Sequence, residues 1–238
     1  MNRVKIMDIP FINERKDKLL QEIKTAVEVN KKQFIVTANP EIVMKTRDDN
    51  SYKETVLSAD YIVPDGIGIL LAAKRNKTPI KERIPGVELM EAMLKYANEN
   101  RKTCYFLGAE KAVNKKLVKK VANEYPNLII GGYHHGFFEL DDLNIVEDVK
   151  KSDADFVFVA LGFPRQENWI KTHYEDFNKG IFMGVGGSFD VISESVKRAP
   201  DFWIKLNLEW LYRILKQPTR ASRFFVVIKF MILTILKK

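Results

Sequence analysis

The sequence predicts an α/β fold with a doubly wound, mostly parallel sheet and a C-terminal amphipathic helical appendage. Short continuous apolar runs, such as Phe156–Leu161, are typical of parallel strands that are covered on both faces. These runs alternate along the chain with longer helical patterns, which indicates strands joined by crossover helices. The appendage is predicted from a basic, amphipathic C-terminal segment that follows the last apolar run.

The elements follow from this alternation in chain order. The segment Val4–Phe11 reads as a small hairpin or edge strand before a helix at Glu14–Val29. The predicted strands are Gln33–Thr37, Tyr61–Val63, Thr103–Leu107, Leu128–Gly131, Asp155–Leu161 and Ile181–Val185. The predicted helices between them are Glu41–Asn50, Ile67–Arg75, Val87–Asn98, Ala112–Glu124, Asp141–Lys151 and Gln166–Thr172.

The charge is distributed unevenly between two parts of the chain. The formal net charge is +8, yet residues 1–194 hold 29 basic and 29 acidic residues and are neutral. Residues 195–238 hold ten basic and two acidic residues and carry the whole excess. We therefore expect an α/β catalytic body at 1–194 and a membrane-docking appendage at 195–238. The neutral charge of the body and the lack of a groove-reading motif in the basic tail argue against a nucleic-acid partner.

The chain has no secretory signal pattern, and its single cysteine, Cys104, lies in a predicted buried strand. No stretch reaches the roughly 20 apolar residues that a membrane span needs. The nearest, Phe224–Leu236, is interrupted by Lys229. We expect a cytoplasmic protein that binds peripherally to the inner face of the cell membrane.

Polar residues and glycines follow four of the predicted strands, where ligands bind in parallel sheets. After one strand, Asp65 could act as a general base, or it could be the N-cap of the next helix. Gly184, Gly186 and Gly187, with Ser188, leave room for a phosphate or form a tight turn. No dinucleotide fingerprint or Walker A sequence is present.

Each further candidate site residue has both a functional and a structural interpretation. Arg83 lies in a loop and could bind a phosphate or form a surface salt bridge. Asn39 and Gln166 suit a sugar, or serve as caps or turn residues. The pair Asp153 and Asp155 precedes its strand and should lie at the wrong sheet edge for a catalytic metal. The adjacent histidines 134 and 135 have no third ligand nearby, so we expect no metal site and no cofactor.

The appendage has one apolar helical stripe, formed by Trp203, Leu206, Trp210 and Ile214. The stripe could belong to an ordinary packed helix or cover a second copy of the chain. Basic residues interleaved with apolar ones also fit an anionic lipid surface, where each base contributes about 1 kcal/mol. The basic residues that support this membrane interpretation include Arg213, Arg220 and Arg223.

The ordered set of these motifs resembles the TagA/WecG/CpsF glycosyltransferases. Each motif is weak alone, but together they span nearly the whole chain. The matching pieces are Thr37–Glu41, Pro64–Gly66, Glu82 and Arg83 with Gly86, Leu161–Trp169, Gly184–Asp190, Arg198–Pro200, Glu209–Arg213 and Pro218–Arg220.

The resemblance implies an inverting transfer of N-acetylmannosamine from UDP-N-acetylmannosamine to the 4-hydroxyl of N-acetylglucosamine on undecaprenyl diphosphate. This is an early step of wall teichoic acid linkage-unit synthesis. Carried over, Asp65 is the general base, and Thr37, Asn39, Arg83 and Gln166 line the pocket. The resemblance places Gly184, Gly186, Gly187, Ser188 and Asp190 in the nucleotide site, and Arg213, Arg220 and Arg223 on a diphosphate.

Two other functions remain open at this point. One is the same lipid acceptor with a different UDP-linked donor, such as a uronic acid or glucose, because sugar specificity depends on a few pocket contacts. The other is a membrane-docking nucleotide sensor without catalysis. Release of UDP in the presence of the acceptor would separate the sensor from the enzymes.

Overall fold

Six parallel strands form the central sheet in a computed structural model that describes residues 1–197, 199–200, 202–203, 212 and 221–236. In chain order the strands of the structure are β1 (Arg3–Ile6), β2 (Ile9–Ile12), β3 (Gln33–Ala38), β4 (Tyr61–Pro64), β5 (Thr103–Gly108), β6 (Ile129–His134), β7 (Phe156–Ala160) and β8 (Ile181–Gly184). The helices are α1 (Lys16–Glu28), α2 (Pro40–Asp48), α3 (Asn50–Leu57), α4 (Ile67–Arg75), α5 (Gly86–Glu99), α6 (Lys111–Glu124), α7 (Leu143–Lys151), α8 (Arg165–His173), α9 (Ser188–Ile192) and the C-terminal helix (Ala221–Leu236).

The strand order in the sheet is β4-β3-β8-β7-β5-β6, and every ladder is parallel. Successive residues of β3 enter different apolar clusters, with Phe34 and Val36 in one and Ile35 in the other. Each strand of this kind is therefore covered on both faces, which explains its continuous apolar sequence. The predicted α/β fold with a parallel sheet is confirmed.

The N-terminal segment forms an antiparallel hairpin of β1 and β2 before α1. Its two turn residues, Met7 and Asp8, have φ values of 48° and 70°. Positive φ at both central residues is the geometry of the two-residue turns that match the twist of a hairpin. The predicted hairpin is confirmed.

The segment after β3 differs from the prediction of one helix at Glu41–Asn50. The structure has two helices, because Asp49 adopts an extended conformation and ends α2. The Asp49 side chain then accepts a 3.0 Å hydrogen bond from the backbone N–H of Tyr52 and caps α3. Neither α3 nor the short helix α9 was predicted.

The C-terminal helix contacts α2 and α4. Its Phe230 is fully buried in the apolar cluster that covers one face of the sheet. The ring lies 3.7 Å from the position that a Cβ on Gly68 would take at the beginning of α4. At the other end of α4, Thr234 and Asn76 line a cavity of about 150 Å³. The helix therefore runs alongside α4, with its N-terminal end directed toward the carboxyl edge of the sheet.

Candidate active site

The candidate site lies at the carboxyl edge of the sheet, where β3, β4, β8 and β7 end. In the sheet these four strands lie side by side in the order β4-β3-β8-β7, although the chain forms them in a different order. The chain leaves them through four loops that carry the polar motifs, so residues far apart in sequence meet at one edge. The edge collects Thr37, Asn39, Asp65, Arg83, Gln166 and the Gly184–Asp190 loop.

Thr37 connects two strands and the beginning of a helix. Its hydroxyl donates a 2.9 Å hydrogen bond to the carbonyl oxygen of Gly184 at the end of β8. A Cβ on Gly86 would lie 3.1 Å from Thr37 Oγ1, so α5 begins directly against this side chain. The hydroxyl proton is used within the protein, and the oxygen keeps lone pairs that can accept a hydrogen bond from a ligand.

Asn39 is the N-cap of α2. Its Oδ1 accepts from the backbone N–H groups of Glu41 at 2.9 Å and Ile42 at 3.1 Å. The capping interpretation is therefore confirmed for the carbonyl end of this amide. The NH₂ group of Asn39 is the part of this side chain that can donate a hydrogen bond to a ligand.

Asp65 follows β4, and its backbone N–H donates to the carbonyl oxygen of Ala38 at 3.1 Å. The N-cap position of α4 is occupied by Gly66, so Asp65 is not the N-cap residue that the sequence left open. A Cβ on Gly66 would lie 2.8 Å from Pro40 Cδ, so the beginnings of α4 and α2 pack together beside Asp65.

Arg83 lies near the end of β4 because its neighbour Ile84 is hydrogen-bonded there. The backbone N–H of Ile84 donates a 2.9 Å hydrogen bond to the carbonyl oxygen of Pro64, the residue before Asp65. Arg83 is half-buried. Within the described part of the chain, its guanidinium forms no ion pair, so the surface salt bridge that the sequence left open is not seen there.

Gln166 lies at the beginning of α8 and is almost fully buried. Its Oε1 accepts a 3.0 Å hydrogen bond from the backbone N–H of Gly186, and its Nε2 donates to Glu167 Oε1 at 2.7 Å. A Cβ on Gly184 would lie 2.7 Å from Gln166 Nε2, so any larger residue at this position would displace the amide. Gln166 therefore holds the loop that follows β8.

That loop turns tightly before α9. Gly186 has a φ of 49°, a conformation that favours glycine. Ser188 is buried, and its hydroxyl donates to the carbonyl oxygen of Val185 at 2.7 Å. The tight-turn interpretation is confirmed for this segment, and the hydroxyl proton of Ser188 is used locally. Asp190 lies in α9, and its Oδ2 is 3.8 Å from the Cβ position of Gly187.

Among the tail arginines, Arg213 and Arg220 lie outside the described residues, and the side chain of Arg223 does too. The backbone of Arg223 belongs to the C-terminal helix, seven residues before Phe230. At 1.5 Å per residue this is about 10 Å farther toward the carboxyl edge. The backbone direction thus brings this part of the chain toward Asp65.

The described part of the C-terminal helix also carries apolar side chains that are exposed. Its exposed large apolar residues are Phe225, Ile228, Ile232, Ile235 and Leu236. Lys229 is exposed beside them. In the described residues, no helix is long and apolar enough to cross a membrane.

Asp153 and Asp155, the carboxylate pair predicted to lie at the wrong sheet edge for a catalytic metal, lie away from the candidate site. Lys179 binds Asp153 at 3.0 Å and Asp155 at 3.3 Å, and Asp155 precedes β7 at the amino edge of the sheet. His134 ends β6, and its ring is 4.3 Å from that of His135. Within the described ranges, no three His, Cys, Asp or Glu side chains are grouped as metal ligands.

Comparison with known proteins decides the family. A profile described as the glycosyl transferase WecG/TagA/CpsF family matches residues 4–238. This chain belongs to that family. As a glycosyltransferase of the WecG/TagA/CpsF family, it is similar to curated relatives from Staphylococcus aureus strains MW2 and COL. Each is 40% identical over 223 residues, which cover 93% of this chain and 87% of the relative. Both relatives are named N-acetylglucosaminyldiphosphoundecaprenol N-acetyl-beta-D-mannosaminyltransferase.

Two residues of the site's supporting network were not singled out from the sequence. Glu167 is fully buried next to Gln166, and Tyr52 donates a 3.0 Å hydrogen bond to its Oε2. Glu167 lies within the Leu161–Trp169 motif, but the sequence alone does not indicate a role for it. Tyr52 lies on α3, the helix that the sequence did not predict, and only the fold brings it to the site.

Proposed function

We propose that this glycosyltransferase moves N-acetylmannosamine from UDP-N-acetylmannosamine to the 4-hydroxyl of N-acetylglucosamine on undecaprenyl diphosphate, with inversion at the transferred carbon. The observation that carries the proposal is the convergence of Asp65, Thr37, Arg83 and Gln166 at one sheet edge. Support for this donor and acceptor comes from the names of relatives that are 40% identical over 93% of the chain.

Asp65 acts as the general base in this proposal. It takes the proton of the acceptor 4-hydroxyl while that oxygen forms a bond to the anomeric carbon of the donor. The bond from this carbon to the UDP oxygen breaks on the opposite face, and the electron pair leaves with UDP. Asp65 is half-buried and directly precedes the N-cap residue Gly66, which places its carboxylate at the carboxyl edge of the sheet, where the acceptor hydroxyl would bind.

The departing UDP needs stabilisation of its diphosphate charge. Arg83 lies beside the end of β4, and its guanidinium suits a phosphate bidentately. The Gly184–Asp190 loop, held by Gln166, is the proposed binding site of the nucleotide. Arg213, Arg220 and Arg223 complete the diphosphate site when the tail meets a membrane, in keeping with the direction of the C-terminal helix.

The membrane part of the proposal rests on the exposed apolar face of the C-terminal helix. Apolar side chains beside basic ones suit an interface of anionic lipids, where the acceptor also resides. We therefore propose a peripheral location on the inner face of the cell membrane. Off the membrane, the predicted apolar stripe of the appendage is the surface that a second copy of the chain would cover, and its Leu206, Trp210 and Ile214 lie outside the described residues.

The test is a donor panel with a short-chain lipid diphosphate that carries N-acetylglucosamine, read by UDP release. We expect release from UDP-N-acetylmannosamine and inversion in the isolated product. Release from UDP-glucose or a UDP-linked uronic acid instead would assign a different donor. No release from any donor, with UDP still bound, would favour a nucleotide sensor and overturn the enzyme.

A further inference from the structure

Glu167 is a buried carboxylate to which the proposed reaction gives no role. Its side chain is 0% exposed, and both of its oxygens accept hydrogen bonds. Tyr52 donates to Oε2 at 3.0 Å, and Gln166 donates to Oε1 at 2.7 Å. In the described part of the chain it forms no ion pair with a cationic side chain. Burying such a group costs free energy unless its hydrogen bonds offset the lost solvation.

These contacts determine which way the Gln166 amide points. Its carbonyl oxygen accepts from Gly186 N–H at 3.0 Å, and its NH₂ donates to the Glu167 carboxylate. A flipped amide would set NH₂ against the N–H of Gly186 and a carbonyl against the carboxylate. Both contacts would be repulsive, so Glu167 allows one orientation of Gln166.

We propose that Glu167 is a positioning residue that fixes the Gln166 amide, and through it the Gly184–Asp190 loop, for binding the nucleotide of the donor. Tyr52 holds the carboxylate from α3 on its other oxygen. The inference rests on the proposed function because it assigns the loop to the donor side. It adds two residues that act on donor affinity without touching the acceptor hydroxyl.

The chain contains a matched control for this arrangement. Tyr105 is also fully buried, and its hydroxyl donates to Asp148 Oδ2 at 3.0 Å, the same distance as for Tyr52 and Glu167. Asp148 lies on α7 and has no hydrogen bond to the residues of the site in the described structure. Asp148 is exposed whereas Glu167 is buried, so Tyr105→Phe controls for the loss of a buried tyrosine hydroxyl away from the nucleotide loop.

The experiment measures the dissociation constant of UDP by calorimetry and the KM values of donor and acceptor for four variants. We expect UDP affinity to fall about threefold in Tyr52→Phe, about tenfold in Glu167→Gln and about 100-fold in Glu167→Leu. Glu167→Gln keeps one acceptor for Gln166 and is expected to retain more affinity than Glu167→Leu. Tyr105→Phe should lower the melting temperature but leave UDP affinity unchanged, and the acceptor KM should stay constant throughout.

Equal UDP affinity in the Glu167 variants and Tyr105→Phe would overturn the inference and reduce Glu167 to a structural group. If Glu167→Leu does not fold, Glu167→Gln and Tyr52→Phe against Tyr105→Phe still decide the matter. The proposed function fails differently, when the wild-type protein binds UDP but releases none from UDP-N-acetylmannosamine with the acceptor. A wild-type protein that does not bind UDP would overturn the inference as well.

Discussion

The hydroxyl of Thr37 donates a 2.9 Å hydrogen bond to the carbonyl oxygen of Gly184, across the neighbouring ends of β3 and β8. These residues are 147 positions apart in the chain. The bond ties the end of the first strand of the sheet to the loop proposed for the nucleotide. It also leaves the Thr37 oxygen, and not its proton, for a ligand.

Replacing Thr37 with Val should therefore affect both stability and activity. The buried carbonyl of Gly184 would lose its side-chain partner, which costs about 1–3 kcal/mol. We expect a matching loss in chemical denaturation and a lower kcat/KM. The control is Thr46→Val in α2, because Thr46 is also buried and donates to the carbonyl oxygen of Val43 at 2.7 Å. A Thr37 variant as active as this control would contradict a role for Thr37 in the site.

Asp65→Asn removes the proposed base and keeps the size of the side chain. General base catalysis contributes about 10²–10⁴-fold, so turnover by UDP release should fall by that range. UDP affinity should stay near that of the wild type, because the amide does not alter the nucleotide loop. Turnover within a few-fold of the wild type would exclude Asp65 as the base.

The stability of the protein should depend on the titration of Glu167. Burial raises the pKa of Glu167 above its ordinary value. The folded protein then retains this proton at pH values where the unfolded chain releases it, so the contribution of Glu167 is greatest below its unfolded pKa and is lost as pH rises through the folded pKa. Glu167→Gln does not titrate and lacks this loss.

The measurement is chemical denaturation of both proteins from about pH 4 upward. Glu167→Gln should gain stability relative to the wild type as pH rises. A difference in unfolding free energy that is constant with pH would show that Glu167 has the same pKa in the folded and unfolded states.

Two variants should distinguish the role of the buried face of the C-terminal helix from that of its exposed face. Phe230→Ala creates a cavity in the core and is expected to cost about 3–5 kcal/mol, with faster proteolysis of the helix. Ile235→Ser changes a side chain that is 54% exposed and should leave the unfolding free energy nearly unchanged.

The same pair is then compared on vesicles that contain phosphatidylglycerol. Ile235→Ser should bind these vesicles more weakly than the wild type, because it removes apolar surface from the face that is proposed to contact lipid. Unchanged vesicle binding in Ile235→Ser would remove the exposed face of the C-terminal helix from the membrane proposal.

Activity should survive removal of divalent cations. The carboxylate pair that most resembles a cation site, Asp153 and Asp155, lies at the amino edge and is bound by Lys179. Charge on the departing diphosphate is therefore assigned to arginines. We expect unchanged UDP release after treatment with a chelator. Loss of activity that added divalent metal restores would contradict this assignment.

Much of the fold was predictable because its signals are local. Continuous apolar runs located all six strands of the sheet, and Pro64–Gly66 and Gly184–Asp190 marked loops at their ends. The boundary between α2 and α3 was not predictable from periodicity, since both sides are helical. It depends on the extended backbone and capping side chain of Asp49. Tyr52 was missed for the same reason.

The sequence by itself determined the fold class, the neutral body with a basic tail, and the residue types at the carboxyl edge. For each candidate residue at this edge the sequence left two interpretations open, because the chemistry of a side chain does not determine which groups it contacts. The tertiary structure decided that Asn39 is a cap and that Asp65 is not. It also paired Thr37 with Gly184, and Gln166 with Glu167 and Gly186. The contacts of Thr37 with Gly184 and of Gln166 with Gly186 join residues 147 and 20 positions apart, and the pairing of β8 with β3 and with β7 brings them together.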